Sequence, residues 1–159
     1  MPINRASGAA SLALLLPAAL LAAASIRPAG AFVLVTPQEA ANNAKAPHLR
    51  ALEPSLPPGA LPRIDVVSPP LAADIRSPVD IRLKFVPTKG AVILPDTFRA
   101  YYGWLGIDIT DRIREHASIT AAGLTVKDAE LPSGSHDITL EIKDSHDQEA
   151  KREVSVTIE

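Results

Sequence analysis

From Arg63 onward, apolar residues recur at every second position, and this alternation most constrains what the chain can fold into. The clearest run lies in residues 79–86, where four apolar residues alternate with Asp80, Arg82 and Lys84. A period of two buries one face of a β-strand and exposes the other. The sequence therefore predicts half-buried β-strands from this point to its end.

Turn residues divide the region into short segments. A polar turn at Asp144–Gln148 joins two alternating runs and predicts an antiparallel hairpin. In this region only the stretch Asp108–His116 has a helical pattern, and its part Thr110–Ile113 is long enough for about one turn. About seven strands at spacings near ten residues predict an all-β fold, an antiparallel β-sandwich, over residues 63–159.

The chain contains no cysteine, so this domain must fold through packing without a disulfide. It carries 16 basic and 18 acidic residues, which gives a formal net charge of −2. No basic cluster occurs. Because nucleic acid and anionic lipid both require a concentrated basic face, we predict that neither is a partner.

The first 31 residues have the pattern of an export signal. Arg5 is followed by the apolar run Leu12–Ala24 and by the small residues Ala29–Ala31 before Phe32. As a helix the apolar run spans about 20 Å, whereas a bilayer core is about 30 Å thick. We therefore expect cleavage before Phe32, a periplasmic or secreted mature chain and no stable membrane span. An uncleaved amino-terminal anchor is the alternative.

Residues 32–62 are rich in proline and alanine, which is typical of a flexible leader. A short helix is predicted near its start. Thr36 can cap this helix, Pro37 suits its first position, and Glu39 completes a capping box. We expect Lys45–Pro62 to be mobile.

No catalytic motif is recognisable. Ser133, Ser135, His136 and Asp137 supply the residue types of a hydrolytic triad, but they are adjacent in a stretch predicted to be an exposed turn. A triad is assembled in space, and its nucleophile commonly occupies a Gly-x-Ser-x-Gly elbow, which is missing here. The sequence therefore predicts a non-enzymatic protein without a cofactor.

The stretch Leu131–Asp144 resembles the E–F corner and F strand of bacterial immunoglobulin-like domains. It has their loose pattern Leu-Pro-x-Gly-x-His, followed by alternating apolar residues and Asp. Residues 64–85 resemble their A and B strands. Family members often have glycine near position 147, where this chain has Asp147, a residue type that tolerates a left-handed backbone. The resemblance implies an immunoglobulin-like β-sandwich that serves as a binding or spacing module.

An aromatic cluster is the sharpest local feature. Tyr101, Tyr102 and Trp104 include both tyrosines and the only tryptophan of the chain. Such rings can form a platform for a sugar or a peptide, so these three residues are the candidate ligand-binding or partner-binding site. Period two, however, places Tyr102 on the same face as Phe98, which predicts that this ring packs in the core.

A metal site is the weaker possibility. Asp144, His146 and Asp147 could converge on a divalent cation, but a polar turn needs the same side chains to cap its backbone. Periplasmic copper carriers of related fold use Met and His near the mature start, whereas the only Met here belongs to the signal. We therefore assign no metal ligand.

Taken together, the sequence predicts a non-catalytic exported binding or assembly module of the bacterial envelope. Its partner would be an envelope protein or a glycan. A carbohydrate-binding or peptide-binding domain is the first alternative, and a small periplasmic metal carrier is the second. A further expectation is that Glu149–Ile158 forms an edge strand open to pairing with a partner.

Overall fold

The computed structural model describes residues 31–44, 59–70 and 75–159. Apart from Ala31, the predicted signal peptide lies outside the described residues. Most of the predicted mobile stretch Lys45–Pro62 lies outside them as well. Within the described ranges no helix is long and apolar enough to cross a membrane.

The described part of the chain forms a sandwich of two β-sheets with two short helices. In chain order the elements are β1 (Phe32–Val33), α1 (Pro37–Asn43), β2 (Arg63–Ser68), β3 (Val79–Val86), β4 (Ile93–Tyr102), β5 (Ile107–Asp108), α2 (Thr110–His116), β6 (Ala117–Thr120), β7 (Gly123–Glu130), β8 (Gly134–Asp144) and β9 (Glu149–Ile158). One sheet has the order β1-β7-β3-β2, with β6 also beside β7, and the other has the order β5-β4-β8-β9. The predicted sandwich fold is confirmed.

The strands follow the predicted alternation. In β3 the side chains of Val79, Leu83 and Phe85 are buried, and the charged residues between them face solvent. β8 and β9 form the predicted hairpin, with an uninterrupted register from Gly134 opposite Ile158 to Lys143 opposite Glu149. Alternation therefore located both the core face and the longest pairing of the fold.

One strand departs from the predicted antiparallel arrangement. β1 lies in the stretch expected to belong to the leader, yet it pairs in parallel with β7. Phe32, Leu34 and Val35 are buried in the same hydrophobic core as the other strands. The two-residue strands β1 and β5 also raise the number of strands from about seven to nine. Short apolar stretches of this kind carry too few residues to display a period.

The predicted capping box of α1 is confirmed. The Thr36 hydroxyl accepts a hydrogen bond from Glu39 N at 3.3 Å, and Glu39 Oε2 accepts one from Thr36 N at 2.9 Å. The first turn of α1 thereby satisfies backbone donors that a helix start otherwise leaves unpaired. The carboxylate of Glu39 also reaches a second helix.

Arg112 of α2 binds that carboxylate with both of its terminal nitrogens, each at 2.9 Å. One of these nitrogens also donates to Leu34 O at 3.2 Å. The hydrogen bond from Arg112 and those from Thr36 lower the pKa of Glu39 to about 2, although burial opposes them. Arg112 and Glu39 therefore fasten the amino-terminal segment to the sandwich.

Replacing Glu39 with Gln should destabilise the protein by about 1–2 kcal/mol near neutral pH, because Arg112 loses its charged partner, whereas the Gln side-chain oxygen can still accept the capping-box hydrogen bond from Thr36 N. The folded pKa is depressed, so the carboxylate contributes its full stability above its unfolded pKa of 4.5. That contribution is lost as the pH falls toward about 2.

The measurement is chemical denaturation of the wild type and Glu39→Gln between pH 7 and pH 2. Their difference in unfolding free energy should shrink as the pH falls. Glu115→Gln, on the exposed surface of α2, is the matched control and should have little effect. A difference that stays constant with pH would show that the ion pair contributes nothing.

Candidate functional site

A four-residue turn between β4 and β5 presents two large apolar side chains to solvent. Trp104 is 63% exposed and the adjacent Leu105 is 58% exposed. Gly103 and Gly106 flank them with φ angles of 65° and 61°, and Gly106 N donates to Gly103 O at 3.1 Å. Both glycines occupy the left-handed region that other residues adopt at a cost. The turn thus holds Trp104 and Leu105 outward on a defined backbone.

A buried hydrogen-bond chain holds the base of this turn. The Tyr102 hydroxyl lies 2.8 Å from His136 Nδ1, and His136 Nε2 lies 2.8 Å from Pro132 O. Because a carbonyl can only accept, Nε2 carries the proton and Nδ1 accepts from the Tyr102 hydroxyl. Both side chains are fully buried. The next residue along the chain, Gly103, donates its N–H to Asp137 O at 2.8 Å.

Burial keeps both members of this pair neutral. It lowers the pKa of His136 below the usual 6.5, although the contact with Pro132 O opposes the shift. It raises the pKa of Tyr102 to about 12, with smaller contributions from Asp137 and Glu39. The Tyr102 hydroxyl and both His136 ring nitrogens have hydrogen-bond partners, and neither side chain is charged. The pair therefore stabilises the structure rather than acting as acid–base groups.

The prediction that His136 lies in an exposed turn is therefore wrong. β8 already begins at Gly134, and its alternation places His136 on the inward face with Ile138 and Leu140. Ser133 and Ser135 are exposed, as predicted. Sequence reasoning treated the histidine as polar, whereas a partner 34 positions away satisfies it in the core.

The three candidate aromatic residues do not form one surface. Tyr102 lies in the core with Phe98, as the period predicted. Tyr101 is half-buried on the opposite face of β4, in register with Thr139 and Asp108. Ring contacts among the described residues do not join Tyr101 to Trp104. The adjacent exposed side chains are instead Trp104 and Leu105. In the sequence, this exposed turn is indicated only by the two glycines that flank two large apolar residues.

The amino-terminal segment supports the turn from below. Asn43, the last residue of α1, is only 3% exposed, and its Oδ1 lies 2.7 Å from where a Cβ on Gly103 would stand. Gly103 is therefore favoured by its backbone angle and by this close approach. Glu39 and Arg112 fix α1, so they also fix the position of Asn43 beneath the turn.

The turn between β8 and β9 uses its polar residues for its own backbone. Asp144 is fully buried and accepts hydrogen bonds from Thr88 Oγ1 at 2.6 Å, Thr88 N at 3.1 Å, His146 N at 3.0 Å and Gln148 N at 3.2 Å. Burial raises the pKa of Asp144, but these bonds outweigh it and the net shift is downward. Asp147 adopts the expected left-handed backbone, with φ of 58°. The described ranges contain no group of three or more His, Cys, Asp or Glu side chains that could hold a metal ion.

Comparison with known proteins adds little to this geometry. No protein-family model and no curated protein matches the chain. One solved structure with a similar fold is CopC from Methylosinus trichosporium OB3b, which is 18% identical with a TM-score of 0.42. The match covers 60% of this chain and 93% of that chain. A likeness of this degree says nothing about what this chain binds.

Gly103→Ala should destabilise the protein more than Gly106→Ala. Each replacement puts a Cβ on a left-handed backbone, at a cost of about 1 kcal/mol. Only Gly103→Ala also meets Asn43, whereas a Cβ on Gly106 has nothing within 4 Å. The difference should appear as a lower Tm for Gly103→Ala, and Asn43→Ala in the same chain should remove it. Equal Tm values for the two glycine variants would contradict the close packing of α1 beneath the turn.

Proposed function

We propose that this chain is a non-catalytic exported binding or assembly module of the bacterial envelope, and that the Trp104–Leu105 turn is the part that meets its partner. The carrying observation is the adjacent exposure of these two residues on a turn held by Tyr102, His136 and Gly103. Export rests on the predicted signal peptide, and a periplasmic or secreted location follows from it.

The chemistry of the turn favours a protein partner with an apolar pocket. Large apolar side chains that stand together on a surface mark interaction sites, and tryptophan is enriched among the residues that dominate binding energy. The rigid base lowers the entropy lost on binding, because the turn is already ordered. Leu105 offers no hydrogen bond, whereas a sugar site needs polar groups beside the ring to orient the hydroxyls.

A carbohydrate-binding or peptide-binding site of the kind that the sequence predicts would use the rings of Tyr101, Tyr102 and Trp104. Tyr102 cannot contact a ligand at the surface because it is fully buried. Tyr101 lies on the outer face of the sheet and makes no ring contact with Trp104 among the described residues, so the three rings do not form one platform. This alternative is therefore less well supported than a protein partner.

The metal-carrier alternative would rest on the exposed side chains of His146 and Asp147. His146 Nδ1 lies 3.3 Å from Thr88 Oγ1, and Asp147 forms an ion pair with Lys143 at 3.3 Å. Stoichiometric binding of Cu(II) or Zn(II) by the mature chain, lost in His146→Ala, would establish a carrier in place of the docking module.

Trp104→Ala should abolish partner binding without changing the Tm by more than a few degrees, since an exposed side chain contributes little to folding. A photo-crosslinking amino acid at position 104 or 105, introduced into the mature chain in living cells, should yield one specific crosslinked protein. Val92, which is 58% exposed elsewhere on the surface, is the matched control position. When the crosslinked partner is purified and added to the mature chain, the Trp104 fluorescence should shift to shorter wavelength.

The docking proposal fails if the crosslinked protein binds Trp104→Ala as tightly as the wild type, or if position 92 gives the same product. A fluorescence shift with envelope glycans, and none with protein, would favour the carbohydrate alternative.

A further inference from the structure

β9 forms one edge of its sheet, as the sequence predicted. It pairs with β8 on one side only. On its other side, the described residues supply a single bridge, between Ile75 and Ile158, with Glu159 N donating to Ile75 O at 3.0 Å. Within the described part of the chain, residues 149–156 therefore have no strand beside them on that side.

The backbone groups that face the open side can be identified. Glu159 directs its N–H to Ile75, and the direction alternates along a strand. Odd-numbered residues of β9 therefore point their N–H and C=O groups, in the plane of the sheet, toward the side away from β8. Lys151, Glu153 and Ser155 present backbone donors and acceptors that no described strand pairs on this side, in the spacing that an added strand requires.

A buried, unpartnered donor marks the middle of this edge. Arg152 lies opposite Leu140 on the inward face, between the buried Ala150 and Val154. Its Nε is buried, and no hydrogen-bond partner for it exists among the described residues. A buried donor without an acceptor is costly, and a carboxylate is the acceptor that a guanidinium binds most strongly.

Asp65, whose pKa is lowered in part by the charge of Arg152, already has another hydrogen-bond partner. Asp65 of β2 binds Arg63 through two hydrogen bonds, at 2.7 Å and 3.0 Å. The hydrogen bond from Arg63 is the largest cause of the lowered pKa of Asp65, and the charges of Lys84 and Arg152 make smaller contributions. Among the described residues, Asp65 therefore gives no hydrogen bond to Arg152 Nε.

We propose that β9 binds an extended segment of a partner protein that adds as a further strand and places an Asp or Glu side chain against Arg152. In antiparallel addition the residue opposite Arg152 forms a non-hydrogen-bonded pair, in which side chains lie closest. The residues two positions before and after it face Ala150 and Val154 and are apolar. The partner segment therefore reads apolar-x-acidic-x-apolar.

The same arginine disfavours a second copy of this chain as the partner. Antiparallel pairing of two β9 strands centred on Arg152 would set two guanidinium groups opposite each other, and like charges in that position are destabilising. The edge therefore selects an acidic strand over its own copy. β5 and β9 lie at opposite ends of the strand order, so this surface is separate from the Trp104–Leu105 turn.

The test uses the full mature chain and two capped synthetic peptides. One is Thr-Val-Thr-Glu-Thr-Val-Thr, and the other has Lys in place of Glu. The Glu peptide should slow hydrogen exchange at the amides of Lys151, Glu153 and Ser155, and should bind at least tenfold more tightly than the Lys peptide. Arg152→Glu should reverse this preference. Lys127→Glu, the same charge change on β7 of the other sheet, should leave the preference intact.

N-methylated peptides test the same proposal on the unaltered protein. Methyl groups on the two threonine nitrogens beside Glu should abolish binding, because those N–H groups face β9. Methylation of the Glu nitrogen should be tolerated. The proposal is overturned if neither peptide protects β9, if both bind equally, or if Arg152→Glu binds as the wild type does. Trp104→Ala should bind the Glu peptide as tightly as the wild type does, because the turn and the β9 edge are separate surfaces. If β9 binds no peptide, the proposal for the Trp104–Leu105 turn is therefore unaffected.

Discussion

The contact between Tyr102 and His136 is the interaction on which the end of the sandwich that carries the proposed docking turn depends. It joins β4 to β8 inside the core, and the bond to Pro132 O satisfies the remaining ring nitrogen. Two polar side chains can be buried here only because each polar ring atom has a partner. The residue after Tyr102 begins the exposed turn, so the direction of Trp104 follows from a buried hydrogen bond.

The two surfaces proposed for binding differ in physical character. The Trp104–Leu105 turn is pre-ordered by two glycines, a buried pair beneath it and the packing of Asn43. It offers apolar area and few hydrogen bonds. The β9 edge offers the reverse, with backbone groups that no described strand pairs and an arginine Nε that has no acceptor among the described residues. A module with two such surfaces at opposite edges of one sheet could join two different partners, which fits an assembly role.

Local patterns in the sequence predicted most of the fold. Period two located β3, β8 and β9, the capping box located α1, and Asp147 was expected to be left-handed in the hairpin turn. Such patterns did not predict long-range contacts, because a local pattern carries no information about which distant residue will be the partner. The parallel pairing of β1, the ion pair of Glu39 with Arg112 and the burial of His136 each depend on residues far apart in the chain. The sequence named Trp104 as a candidate site residue, whereas its neighbour Leu105 was not among the candidates, and both stay part of a proposal.

His136 is held by Tyr102 as a neutral structural group, and nitrogen NMR of the His136 ring across pH 8 to pH 4 tests this role most directly. The ring should stay neutral, with the proton on Nε2, below the usual pKa of 6.5. Because the folded pKa is depressed, stability should decline as the pH falls below about 6.5 and the unfolded state takes up the proton. A His136 ring that titrates near 6.5, with N–H protons that exchange rapidly with solvent, would show that Tyr102 and Pro132 do not hold it in the core.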